Sequence, residues 1–394
     1  MKRAVIFAVI LLSALPARAT FIRGLLERAD TEALLDSEYF LDLRAFSWPR
    51  AWEDDWAASS GAYRVSGASL DCCDLYLDQG LKLSRRLSKR LEFRFRMEQR
   101  DDKDRRETHH WLELETDIGR GWSIEVVGEP TYRKEDADIG LGARWRGGGF
   151  EARARRLAVD FNFNSRGSTS ERYTLKPYTD QLSASLEAGD GRVWTTAELD
   201  GATRREIPVE NRSFGYRRER VAAGWSGGGD LAPRVAATYD REERLDRRAT
   251  AAAGTSTDFR RRAAALEATV RVRREKTEWE PGLAVLRRST RADDPFVASG
   301  GVTYLRWEVQ PHLRWRRELS ELVLLELSPF LSLGEDRARR TTQLLARRVV
   351  EAKTAAAVEF RFSPSAWIGL NANIDMDSPG KFWDGGNVRA MIRF

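Results

Sequence analysis

Cysteine, histidine and methionine are all scarce in this chain. Among 394 residues there are 2 Cys, 3 His and 4 Met. Two cysteines make no disulfide framework, and three histidines leave little material for metal sites or acid–base catalysis. The cysteines are adjacent, Cys72 and Cys73. A bond between neighbours closes a strained ring with a conceivable switching role; otherwise they are two small strand residues or a free thiol. No C-x-x-C-H attaches a haem. After the first 20 residues no apolar run approaches the roughly 18 residues a membrane helix needs. With 32% charged residues and a mean hydropathy of −0.52, a bundle of such helices is excluded. Charge of one sign is lacking too: 66 basic against 60 acidic residues give only +6, and no nucleic-acid partner is expected.

What is present begins with an export pattern. Met1-Lys2-Arg3 is basic, Ala4 to Leu15 is apolar, and Pro16 precedes Ala17-Arg18-Ala19, an A-x-A cleavage pattern. Residues 1–19 therefore read as a cleaved signal peptide, and the mature chain starts at Thr20. Residues 20–35 form a short amphipathic segment, periplasmic or a plug, with Phe21, Ile22, Leu25, Leu26 and Ala29 on one face.

From about Asp36 to Phe394 the dominant signal is alternation. Leu91, Phe93, Phe95 and Met97 interleave with Glu92, Arg94, Arg96 and Glu98. Thr303, Leu305, Trp307, Val309, Pro311, Leu313 and Trp315 interleave with Tyr304, Arg306, Glu308, Gln310, His312 and Arg314. Period two means strands with one apolar and one polar face. Many of these runs reach 10 to 16 residues, longer than ordinary strands and suited to a tilted bilayer crossing. Connections alternate between tight ones, such as 118–121, 146–149 and 363–365, and longer charged ones, such as 164–177, 204–212, 243–256 and 335–342. Tryptophans gather beside the tight set. Trp122, Trp145, Trp225, Trp279 and Trp315 fall on the apolar face as an aromatic girdle, whereas Trp194 and Trp367 fall on the polar one.

The chain ends on an alternating strand with Val388, Ala390, Ile392 and Phe394 on one face. An apolar alternating strand closing on a terminal Phe resembles the insertion signal of bacterial outer-membrane β-barrel proteins. The resemblance is porin-like and points to no subfamily. It implies a cell outer-membrane protein of a Gram-negative bacterium, exported through the periplasm and inserted by barrel-assembly machinery. The fold expected is all-β: a closed antiparallel transmembrane β-barrel over 36–394 with short periplasmic turns and longer extracellular loops. The connections join 17 strands; parity requires one more before Cys72, drawn from Tyr39 to Arg44 or from Ala62 to Ser69. About 18 strands are expected, with 16 as the alternative. Residues 48–70 fit a first external loop or an inserted plug.

The polar face carries the candidate pore lining. It comprises Arg94, Arg96, Glu98, Glu113 and Glu115, then Arg144 and Arg146, then Arg271, Arg306, Glu308 and Arg314. Glu351, Lys353, Arg361 and Arg389 complete it, with Glu267, Arg273, Glu359 and Arg393 on the same face. Such a wall filters hydrophilic solutes or ions, or its charges simply pair across strands and hold shape. The leading expectation is a channel for passive diffusion of small hydrophilic solutes or ions. The alternative is a structural sheath around a partner: an exported polymer, a lipoprotein or a multihaem cytochrome. Catalysis is not expected. His109 and His110 adjoin several carboxylates but point to opposite faces of a strand, and no hydrolase signature matches. No metal site or cofactor is expected. Rim charges are suited to outer-membrane lipid, lipopolysaccharide and its divalent ions. Two alternation breaks, at Arg155-Arg156 and at Phe214 to Val221, suggest β-bulges.

Overall fold

The computed structural model describes residues 59–70, 74–101, 106–129, 138–158, 178–207, 212–248, 257–292, 302–340, 343–376 and 383–394. Residues 1–58 lie outside the described residues. The signal peptide, the amphipathic segment and the candidate strand at Tyr39 to Arg44 therefore do too, as do Cys72 and Cys73.

All regular structure among the described residues is β. In chain order the strands are β1 (Gly61–Leu70), β2 (Asp74–Arg86), β3 (Leu91–Asp101), β4 (Arg106–Gly119), β5 (Trp122–Glu129) and β6 (Asp138–Gly147). There follow β7 (Phe150–Ala158), β8 (Tyr178–Ala188), β9 (Gly191–Ile207), β10 (Arg212–Ser226), β11 (Leu231–Arg248) and β12 (Thr257–Arg274). The last six are β13 (Thr277–Ala292), β14 (Val302–Glu318), β15 (Val323–Arg340), β16 (Gln343–Ser363), β17 (Ala366–Asp375) and β18 (Trp383–Arg393). Each strand pairs antiparallel with its sequence neighbours, and β1 pairs with β18, so the 18-stranded sheet closes on itself. Closure leaves no edge whose backbone groups lack partners. The strand needed for even parity is thus β1, and the second half of the 48–70 segment is wall, not loop or plug.

Tight hairpins lie together at one end. Gly148 and Gly149 both take positive φ (58° and 78°), the two-residue turn whose twist matches its flanking strands. At the other end the strands run further than expected. β15 ends at Arg340 and β16 begins at Gln343, so most of 335–342 is strand; β9 likewise extends to Ile207 and β10 begins at Arg212. Charged residues that look like loop in sequence keep their ladder bonds because solvated side chains do not oppose pairing. The described strands hold from 8 to 21 residues, the longest run lying over β11–β16.

Of the two alternation breaks, one is a bulge. The β9–β10 register slips between Tyr216 and Arg218. At Arg155-Arg156 the β7–β8 ladder is regular, and the break is one of composition. Arg156 faces outward, bound to Asp180 at 2.6 Å with its guanidinium over Tyr178, whereas Leu157 turns inward and is buried.

Candidate functional site

The pairing register assigns every strand residue to one of two faces. In β5, Trp122, Ile124 and Val126 are exposed while Ser123, Glu125 and Val127 are buried. The same rule holds round the barrel: Leu141 is 65% exposed, Leu231 63% and Leu266 51%, all outward, beside inward Arg144, Ala232 and Glu267. The outward apolar stretch runs from Leu231 to Tyr239 in β11, from Val272 back to Ala264 in β12 and from Val323 to Leu333 in β15. These stretches hold 9, 9 and 11 residues, the span of a tilted strand across hydrocarbon. Each begins at the tight-turn end.

The aromatic residues follow this outward face. Trp122 lies opposite Trp145, and Trp279 opposite Trp315 with ring centroids 5.9 Å apart. Trp145 also meets Phe150 at 5.8 Å, and Trp225 is exposed. Trp194 and Trp367 face inward; Trp367 packs with Met391 and Ala62 in a small apolar cluster beside the seam. At that seam Val388, Ile392 and Phe394 are exposed and share the outward parity of Ala390. The Phe394 N–H donates to the Gly61 carbonyl at 3.0 Å.

The opposite face lines the interior of the closed sheet, and there the charges are organised into ion-pair groups. In β3–β7, Arg94 pairs with Glu113 and Glu115 and with Glu92 at 3.0 Å. Arg144 also pairs with Glu115, whose Oε1 accepts from Ser123 Oγ at 2.6 Å. Arg153 bridges Glu113 and the fully buried Glu125, each at 2.7 Å. Carboxylate oxygens of Glu113, Glu115 and Glu125 come within 4.8 Å of one another. Arg155 also reaches Glu113 at 3.5 Å, so four arginines offset that repulsion and the cluster is already neutralised by protein groups. Arg146 pairs with Glu151 nearer the tight-turn end.

A second group spans β14–β16. Arg306 pairs with Glu308, lies 3.6 Å from Asp336 and reaches towards Glu351 at 3.8 Å. Ser332 and Gln310 donate to Glu308. Beside it Arg314 lies 3.5 Å from Glu326, and Arg361 lies 3.7 Å from Glu359. Lys353 stands opposite Phe330, Arg271 opposite Ala232 and the buried Arg389 opposite Ser66. Arg96 is exposed, opposite Lys82 and Trp111, and the side chain of Glu98 lies outside the described residues.

Sequence reasoning missed a third group, in β9–β12. Arg218, Arg220 and Arg261 converge on Asp240 at 3.1, 3.2 and 3.3 Å, and Arg261 also holds Glu242 at 3.0 Å. Tyr216 donates to Asp200 at 3.2 Å. The extra residue of the bulge lies in β9, where Gly201 and Ala202 together face Arg217, while β10 keeps an unbroken register with β11. Between the first and third groups lies a recess of about 270 Å³ lined mainly by Arg153, Arg155, Gln181, Thr196, Glu198 and Arg220.

The histidines do not assemble a catalytic centre among the described residues. His110 faces outward and stacks on Phe95 at 6.3 Å. His312 faces inward, its Nδ1 3.2 Å from the Gln310 carbonyl and its Nε2 3.5 Å from Glu267. Both ring nitrogens are occupied, neither by a nucleophile.

An apolar outside, a charged inside and a closed antiparallel sheet define a β-barrel built for a bilayer. No protein-family model matches the chain, and no curated protein matches it. Among solved structures, similar ones include OccK5 of Pseudomonas aeruginosa, with a TM-score of 0.44 and 12% identity over 85% of this chain and 96% of that one. OmpT, an outer membrane protein of Vibrio cholerae, has a TM-score of 0.39 and 12% identity over 85% and 96%. A mutant porin of Rh. blastica has 0.37 and 8% over 85% and 98%.

Proposed function

We propose that this protein is an integral outer-membrane channel for passive diffusion of small hydrophilic solutes or ions. The observation that carries the reading is the sorting of side chains by face. Exposed leucines, valines and tryptophans cover the outside, and arginine–carboxylate groups cover the inside. Barrels of 16 to 18 strands leave room for an aqueous channel rather than a packed core. In this reading the tight turns face the periplasm and the opposite end, with its longer connections, faces the exterior, as is usual for bacterial barrels. Ion-paired walls of both signs suit a filter that admits hydrated solutes and repels hydrocarbon.

The test is single-channel conductance of refolded protein in a planar bilayer under a salt gradient. Uniform stable steps are expected, and the reversal potential reports the ion preference. A barrel that inserts and stays silent would overturn the open channel and leave a lumen-filling partner as the object of search.

A further inference from the structure

Above the apolar stretch the outward face of β11–β13 changes abruptly from hydrocarbon to guanidinium. In β11, Tyr239 is followed by Arg241 and Glu243; in β12, beyond Ala264 come Arg262 and Arg260; in β13, Val285 is followed by Arg287, Ser289 and Arg291. The register sets Arg241 opposite Arg262 and Arg260 opposite Arg291. Arg262 faces Ser289, so Arg287 and Arg291 are its two diagonal neighbours. Three carboxylates answer these five arginines: Glu243 binds Arg241 at 2.9 Å, Glu219 reaches the same arginine at 3.7 Å, and Asp258 binds Arg260 at 3.1 Å. Arg262, Arg287 and Arg291 are exposed and have no ion-pair partner among the described residues.

Like charges directly opposite on adjacent strands repel. A bound anion removes that cost, and guanidinium forks match phosphate oxygens in geometry. The patch also continues without a break into the lipid-facing stretch, where Val235, Leu266, Leu283 and Val285 are 42–51% exposed. We propose that this surface holds a membrane lipid whose headgroup carries two phosphates. Its acyl chains lie along those four residues, and its phosphates are clamped by Arg262, Arg287 and Arg291 with Arg241 and Arg260 at the margin. Arg287 to Arg291 spans about 13 Å along the strand, room for two phosphates on one headgroup. The proposal rests on the outer-membrane reading, which puts this patch in the outer leaflet.

The test uses the refolded full-length barrel in phosphate-free detergent, titrated with diphosphoryl lipid A, monophosphoryl lipid A and phosphatidylcholine. The wild type should bind the diphosphoryl lipid at least tenfold more tightly than either other lipid. R262S/R287S/R291S should lose that preference while keeping the heat-modifiable mobility of a folded barrel. Equal binding of all three lipids by the wild type overturns the proposal, whether or not the variant folds. So does an unchanged preference in the folded variant. Displacement of the lipid by millimolar inorganic phosphate also overturns it, because it reveals a free-anion site. Conductance is recorded on the same preparations: a silent barrel that still selects the lipid defeats the channel reading alone.

Discussion

Arginine 153 shows how a single side chain holds the interior together. It is the residue that links Glu113 on β4 to Glu125 on β5, and Glu125 has no exposed surface. Removing one partner of a buried pair leaves an uncompensated charge, which costs about 3–5 kcal/mol. Arg153→Met should therefore lower urea-unfolding stability in lipid vesicles by an amount in that range. Arg153→Met combined with Glu125→Gln should recover more than half the loss, because the stranded charge is gone. A neutral single variant would show that water, not Arg153, solvates Glu125. Above the hydrocarbon the chemistry is gentler. The Arg241 hydrogen bond holds the half-buried Glu243 carboxyl below its ordinary value, and Arg337 does the same for Glu335. A lowered carboxyl pKa adds stability above the unfolded value near 4.5, lost only as pH falls through the folded one. Both pairs thus stay intact through mildly acid conditions.

Among the elements, the seam is the weakest joint. β1 and β18 share six paired positions, Ala62 with Arg393 through Gly67 with Val388, against eighteen between β15 and β16. Gly61 sits where a Cβ would lie 2.8 Å from the Phe394 carbonyl oxygen and 2.9 Å from its ring. Gly61→Val should reduce the yield of closed, heat-modifiable barrel on refolding, and removing Phe394 in the same chain should restore part of it. If Gly61→Val refolds like the wild type, the terminal Phe does not dock at the seam. This joint also marks what a sequence can convey. The alternation of β18 and its terminal Phe was legible, as were the tight turns and the inward parity of Arg306 and Glu308. Tyr39 to Arg44 and Ala62 to Ser69 alternate alike, and only pairing with β18 chooses between them. Strand ends such as Asp336 to Arg340 were illegible because alternating charges look the same in a loop and in a ladder above the bilayer. The break at Arg155-Arg156 read as a bulge for a related reason: the inward burial of Leu157 against Thr179 and Gly140 satisfies an apolar side chain as well as lipid does.

At the scale of the whole molecule, the tallest described strands reach well beyond a hydrocarbon layer. β16 holds 21 residues, about 70 Å of extended chain, and β11, β12 and β15 hold 18 each. An outward apolar stretch of 9 to 11 residues accounts for half of the tallest strands. What remains is outward-facing charge on one side of the barrel, the side that carries the arginine patch. Placement in a membrane follows from this shape and can be read by cysteine labelling once Cys72 and Cys73 are replaced by Ser. Ser289→Cys sits above the apolar stretch, Ala268→Cys within it, and Ser320→Cys at a tight turn. With a membrane-impermeant maleimide on intact cells, Ser289→Cys should label, Ala268→Cys should not label until detergent is added, and Ser320→Cys should label only after the outer membrane is permeabilised. Labelling of Ala268→Cys in intact cells would deny the hydrocarbon band its lipid. An exchange of behaviour between Ser289→Cys and Ser320→Cys would keep the barrel but invert it. The arginine patch would then meet the inner leaflet, where the diphosphorylated lipid proposed for it has no outer-leaflet site to occupy.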